Sequence, residues 1–337
     1  MKFSCAFGRH ERIEESIELA RAAEECGFDQ MTIIDSQNLS RDVYVQLALV
    51  AANTSRIRIG TGVTNPITRH PTVTANAIAS LNEASGGRAF LGLGGGVSSV
   101  WTMGVKTQPL RDVREMVEFL RKYMAGEDAE YKGTTAHSEW VRDTVPIYLG
   151  SGGPKSLFQS GQIADGVIAT GVRPEMVKWR CEQIKRGAVE AGRDPSSIDI
   201  WARTIVYVTD EDPATTLGET GHYATQAGFA VLNEPQFEEL RATLEDEEPG
   251  IMDEFKAVAD AYEPYAHEAK NARHGTFATQ RVVDYYHLVG TADSIVDRIE
   301  TLRECGVTNI SCVLYTLNDK AGMMRKISEQ IMPRVRS

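Results

Sequence analysis

Gly150-Ser151-Gly152-Gly153-Pro154-Lys155-Ser156 is a glycine-rich turn with a proline where a helix would begin and a lysine just inside it. Backbone N–H groups at such a helix start bind phosphate, helped by the helix dipole. The same string also serves as a plain strand-to-helix turn with Pro at the first helical position. Thr170-Gly171-Val172, the end of a neighbouring apolar run, lets a second backbone approach the same point and favours phosphate. Asp35 closes another apolar run. Its carboxylate can accept from a ring N–H or a ligand hydroxyl, or cap the polar loop Ser36–Arg41. Gly62-Val63-Thr64-Asn65 ends a third run with a flexible backbone followed by a hydroxyl and an amide. Gly92-Leu93-Gly94-Gly95-Gly96 lacks the GxGxxG spacing and later acidic residue of a dinucleotide fingerprint, and reads instead as close approach of a flat ring to bare backbone.

Histidine chemistry is a weaker lead. His10 follows the first apolar run and is a candidate base facing a pocket. His70, in Arg-His-Pro, is either a base or the support of a helix start. His137, His222, His267, His274 and His287 show no metal-ligand spacing, so no metal is expected. There is no GxSxG elbow and no P-loop.

These groups need a scaffold that gathers strand ends. Apolar runs at Lys2–Phe7, Gln30–Ile34, Ile57–Gly62, Ala89–Leu93, Pro146–Leu149, Gly166–Ala169, Ile198–Val208 and Ile310–Tyr315 read as eight strands. Helical patterns separate them at Glu11–Cys26, Asp42–Ala52, Thr72–Glu83, Arg111–Tyr123, from Pro154 through Gln162, Pro174–Gly192 and Thr291–Cys305, with Ala321–Val335 closing the chain. Strict alternation with nearly continuous apolar strands implies parallel pairing with both faces covered. Eight such units fit a TIM (β/α)8 barrel, whose active sites lie at the C-terminal strand ends; an open doubly wound sheet is the alternative. The chain reads as one domain, 1–337. Asp128–Thr144 is a small hairpin, and the acidic segment 212–286 is a helical insertion.

The net charge of −11 argues against a nucleic-acid partner. No apolar run approaches the roughly 18 residues that span a bilayer. The N-terminus turns polar too soon for a signal peptide. Five scattered cysteines with no CxxC pair point to reduced thiols, no zinc and a cytoplasmic protein.

GTGVTNP (60–66) with RHP (69–71), SGGRAFLGLGGG (85–96), PIYLGSGGPK (146–155), ADGVIATG (164–171) and GTADSIVDRIETLRECGVTNI (290–310) together resemble the bacterial luciferase-like superfamily. Within it the chain is most similar to the branch using the deazaflavin coenzyme F420, and to methylenetetrahydromethanopterin reductases in particular. The resemblance covers most of the barrel but not 212–286. It implies an oxidoreductase that transfers a hydride between the deazaflavin and an electrophilic carbon. The alternative is an FMN-dependent monooxygenase supplied by a separate flavin reductase and acting on a small organic substrate. It also implies a cis Gly62-Val63 peptide behind the ring, with Asp35, Gly62, Val63 and Asn65 beside the ring and Gly95 and Gly96 passing close; Thr64, between them, is a further cofactor-binding candidate. The phosphate would meet Gly152, Gly153, Lys155 and Ser156; Gly150, Ser151, Gly171 and Val172 at the same strand ends are further cofactor-binding candidates. Relatives often carry a histidine after the aspartate and an acid after the fourth-strand glycines; here Ser36 and Val97 stand there. Dimers or larger homo-oligomers are common among them, and the third helix is a candidate interface.

Overall fold

The computed structural model describes residues 1–8, 11–223, 232, 237–266, 269 and 272–336. His10 and His267 lie outside the described residues. The strands in chain order are β1 (Lys2–Phe7), β2 (Gln30–Ile33), β3 (Arg58–Thr61), β4 (Ala89–Gly94), β5 (Ala129–Tyr131), β6 (Thr134–Ala136), β7 (Ile147–Gly150), β8 (Gly166–Thr170), β9 (Asp199–Thr204), β10 (Val206–Val208), β11 (Leu288–Gly290) and β12 (Asn309–Val313). Eight of them form a closed parallel barrel in the order β1-β12-β9-β8-β7-β4-β3-β2. This is the TIM barrel that the alternation implies. Register follows from burial: β2 and β4 are buried at every residue, as strands covered on both faces must be. Pairs such as Met31↔Ile59 and Leu91↔Ile147 fix the alignment.

The helices α1 (Ile13–Glu25), α2 (Val43–Asn53), α3 (Pro71–Ala84), α4 (Ser98–Trp101), α5 (Leu110–Met124), α6 (Pro154–Ile163) and α7 (Pro174–Glu190) follow the first strands. Their starts are written in the sequence. Asp42 accepts from the N–H groups of Tyr44 and Val45, both at 3.0 Å. Pro71 and Pro154 occupy first-turn positions where an N–H is not needed. The hairpin β5–β6 is antiparallel, as expected for the Asp128–Thr144 segment.

The chain divides into two compact units. One contains Ser4–Ile168 and Glu182–Ile200. At its strand starts, Gln30 Nε2 donates to the Tyr148 hydroxyl at 3.3 Å, which donates to Asp199 Oδ2 at 3.1 Å. Burial, and then the Asp199 charge, push the Tyr148 phenol up to about 12. Glu24 holds the chain entering β3 through the N–H groups of Ser55, Arg56 and Ile57 at 2.9, 2.6 and 2.9 Å. Helices α6 and α7 cross with backbones nearly touching: a Cβ on Gly161 would lie 2.0 Å from the Ile184 carbonyl oxygen, and one on Gly187 would lie 1.9 Å from that of Phe158.

The other unit contains Met1–Phe3, Ala169–Cys181 and Trp201–Ser337. Here the single strand expected over Ile198–Val208 is two. The break falls at Ile205, where Thr204 Oγ1 donates to the Tyr286 carbonyl at 2.8 Å. Past it β10 pairs in parallel with β11, a three-residue strand just before the helix at Ala292–Cys305. The 212–286 segment contributes helices at Glu238–Glu247, Ile251–Asp260 and Gln280–Tyr286. These share a core of Leu244, Ile251, Phe255, Val258, Val282 and Val283.

Candidate functional site

The expected site residues Asp35, Ser36, Gly62, Val63, Thr64, Asn65, Gly95, Gly96, Gly150, Ser151, Gly152, Gly153, Lys155 and Ser156 follow the C-terminal ends of β2, β3, β4 and β7 within one unit. Gly171 and Val172 follow β8 in the other unit.

The chain leaving β3 stays in the sheet beyond Thr61. The Gly62 N–H donates to the Ile33 carbonyl at 2.8 Å, Thr64 N–H to Gly92 at 2.9 Å, and Gly94 N–H to Thr64 at 2.8 Å. Between these bonds the Gly62-Val63 peptide is cis. The Val63 side chain lies against the glycines of β4 and β7. A Cβ on Gly94 would come within 2.9 Å of Val63 Cγ2, and one on Gly150 within 3.4 Å of both Val63 methyls. Gly92 is closed by the chain itself, since a Cβ there would sit 2.1 Å from the Thr61 carbonyl oxygen. Gly94, in the stretch that reads as bare backbone for a ring, therefore serves to seat Val63. Gly95 is more open, its nearest neighbour being the Gln108 carbonyl at 3.5 Å.

Asp35 is almost fully buried and fully engaged. Its Oδ2 accepts from Thr64 Oγ1 and from Arg69 Nη1, each at 2.6 Å, and its Oδ1 accepts from Gln37 Nε2 at 2.6 Å. Arg69 also reaches Asp42 Oδ2 at 3.0 Å and lies 5.0 Å over the Tyr44 ring. Burial works against the Arg69 cation, but Asp35 outweighs it and raises its pKa. Burial, and then Asp35, push the Tyr44 phenol upward as well. Asn65 is spent locally: its Oδ1 accepts from the N–H groups of Ile67 and Thr68, both at 3.0 Å, and its Nδ2 donates to Ser99 Oγ at 3.4 Å. Ser36 opens a turn in which its carbonyl accepts from Leu39 and Ser40 N–H, both at 2.8 Å. His70 caps α3, its Nδ1 accepting from Thr72 N–H at 3.3 Å. The Arg-His-Pro tripeptide directs attention to His70, yet Arg69 makes the contacts to the strand ends.

The β7 turn is different. Gly153 is the N-cap of α6 and no side chain caps the helix. Ser156 Oγ donates back to the Gly153 carbonyl at 2.9 Å, and Ser151 Oγ pairs with Ser160 Oγ at 2.7 Å. No atom lies within 4 Å of where a Gly152 Cβ would stand, and Lys155 is exposed. The first-turn N–H groups of a helix have no intrahelical partner, so this end suits an anion. Among the described residues no group of three or more His, Cys, Asp or Glu is placed to hold a metal.

A family model described as luciferase-like monooxygenase matches residues 2–309. The chain is 34% identical over 317 residues to 5,10-methylenetetrahydromethanopterin reductase of Methanolobus tindarius, covering 92% of this chain and 93% of that one. It is 30% identical over 344 residues to the enzyme of that name from Archaeoglobus fulgidus, covering 100% of both. The solved structure of coenzyme F420 dependent tetrahydromethanopterin reductase from Methanopyrus kandleri superimposes with a TM-score of 0.82 at 25% identity, covering 98% of each chain. With the family match running from the start of β1 to the start of β12, the chain belongs to the luciferase-like monooxygenase family.

Proposed function

We propose that this protein is a coenzyme F420-dependent oxidoreductase that transfers a hydride to or from an electrophilic carbon of a small substrate, with methylenetetrahydromethanopterin-type reduction as the reaction it most resembles. The observation that carries this reading is the state of Asp35 and Asn65. Both polar side chains that this reading sets beside the ring are occupied by protein hydrogen bonds, so the strand ends hold and orient rather than exchange protons. Such a site suits a cofactor that brings its own reactivity. The full-length similarity to reductases of this name supports the same choice.

The deazaflavin supplies hydride chemistry when bound. Gly62, Val63 and Thr64 offer it a backbone wall, backed by Gly94 and Gly150. The uncapped start of α6, with Gly152, Gly153, Lys155 and Ser156, suits its phosphate. Holding reactants in place can contribute about 7–11 kcal/mol to barrier reduction. Addition of hydride to a cationic iminium requires no protein acid, which accommodates Ser36 and Val97.

The reading includes a single barrel domain carrying 212–286 as an insertion, supported by the unbroken family match. It includes a cytoplasmic homo-oligomer. Five scattered cysteines with no CxxC spacing support the compartment, and the exposed Val45, Leu49 and Val73 on α2 and α3 support association. No helix among the described residues is long and apolar enough to cross a membrane. The test is fluorescence quenching with the deazaflavin and with FMN. F420 binding without FMN binding is expected. Tight FMN binding with substrate-dependent oxygen uptake, driven by reduced flavin from a separate reductase, would overturn the reading.

A further inference from the structure

Half-buried Arg88 and buried Arg180 are placed at opposite kinds of position, and only Arg88 is satisfied. Arg88 spends its guanidinium on five oxygens: Ser85 O at 2.7 Å, Thr54 Oγ1 at 3.0 Å, Ile57 O at 2.8 Å, Ala51 O at 2.9 Å and Thr54 O at 2.9 Å. That is a structural clamp. Arg180, on α7, is only 3% exposed. Its Nη1 donates to the Thr170 carbonyl, while its Nε has no hydrogen-bond partner. Among the described residues it makes no ion pair, although Arg173 close by pairs with Glu175 at 2.9 Å and Glu247 at 3.6 Å. A buried cation with unmet donors is costly unless something completes its shell.

The missing group has a place to enter. Arg180 reaches the last residue of β8, and Thr170 is partly exposed. Beyond it Gly171, at φ +95°, carries no side chain; a Cβ there would stand 3.5 Å from Arg180 Nη1 and 3.4 Å from the Tyr286 ring. The guanidinium thus lies against the Thr170-Gly171 backbone, with the Tyr286 ring beside the position that a Gly171 side chain would fill. A guanidinium fork matches an oxyanion with two coplanar oxygens.

We propose that Arg180 is an oxyanion receptor, binding a phosphate ester or carboxylate that enters over Gly171. The source is either the cofactor's phosphate or an acidic group of the substrate. The identification of the source rests on the function proposed above; the receptor itself does not.

The experiment uses Arg180→Met and Arg180→Lys in the full chain. The first arm follows melting temperature against inorganic phosphate at constant ionic strength. A bound anion stabilises the folded state by mass action, so wild type should gain several degrees, Arg180→Met none and Arg180→Lys part of the gain. The second arm compares F420 with its phosphate-free form. A tenfold or greater loss of F420 affinity in Arg180→Met, with unchanged affinity for the phosphate-free form, assigns the oxyanion to the cofactor. An unchanged F420 affinity with a tenfold rise in substrate KM assigns it to the substrate. If wild type shows no phosphate-dependent shift, or Arg180→Met keeps it along with every binding constant, Arg180 is only a strut for Thr170 and the proposal fails. Should Arg180→Met not fold, Arg180→Lys decides the same question, because a full phosphate shift in the absence of the guanidinium fork is also fatal. Failure of wild type to bind F420 would remove the cofactor reading while leaving the phosphate arm intact.

Discussion

Asp35 Oδ2 and Arg69 Nη1 lie 2.6 Å apart in a pair whose side chains are 2% and 14% exposed. The pair ties the end of β2 to the loop behind β3, with Thr64 bonded to the same oxygen. Removing one partner of a buried ion pair typically costs about 3–5 kcal/mol, because the other charge is stranded. Arg69→Met should therefore destabilise the protein by about 3 kcal/mol in denaturant melts. Asp35→Asn/Arg69→Met should cost less than the sum of the single changes. Strict additivity would show that the two residues act separately.

Glycines at the mouth should sort by what surrounds them. Gly94→Ala would drive a methyl to 2.9 Å from Val63 Cγ2. It should displace Val63 and weaken cofactor binding at least tenfold while costing about 1–3 kcal/mol of stability. Gly152→Ala meets no atom within 4 Å. Its melting temperature should match wild type, so that any loss of cofactor affinity reports the ligand's own close approach. Calorimetry and fluorescence titration on the two variants separate these effects.

Lys155 is exposed in the first turn of α6, beside the uncapped N-terminus. Lys155→Ala should weaken binding of the phosphate-bearing cofactor about three- to tenfold at low salt, and the difference should shrink as salt screens the charge over about 10 Å at 0.1 M. A salt-independent loss would argue for lost packing instead.

Glu24 should set part of the acid limb of stability. Partial burial pushes its carboxyl upward, but the N–H groups of Ile57, Arg56 and Ser55 and the Ser55 hydroxyl prevail and pull it from 4.5 down to about 2. A depressed folded pKa stabilises fully above the unfolded value and loses its effect as pH falls toward the folded value. The gap in melting temperature between wild type and Glu24→Gln should be widest near neutrality. It should narrow below about 4.5 and close near pH 2.

The barrel was legible because its strands are short, nearly continuous apolar runs in strict alternation with helical patterns. Even the hairpin at Ala129–Ala136 announced itself. The β10–β11 pair did not. Leu288-Val289-Gly290 is too short to stand out, and the break at Ile205 depends on a Thr204 bond to Tyr286, distant in sequence. Which residues end the strands could be read, since the apolar runs stop at them, and strand ends are where such barrels place their chemistry. Site directions could not. Asp35 and Asn65 stand beyond the ends of β2 and β3 as the pattern implies, but their acceptors are taken by Arg69, Thr64, Gln37, Ile67 and Thr68. Arg180 sits on an ordinary helical pattern, and only the fold brings its side chain to the Thr170 carbonyl.

Gly161 and Gly187, where α6 and α7 meet backbone to backbone, bear on how tightly the mouth can grip. A helix seated this closely has almost no room to slide, so the amide end of α6 stays aimed whether or not an anion is present. Rigidity installed during folding need not be bought again at each encounter. Residence time at that end should then answer to the anion's own contacts rather than to loop rearrangement, and small head-group changes in the cofactor should register mainly in its off-rate.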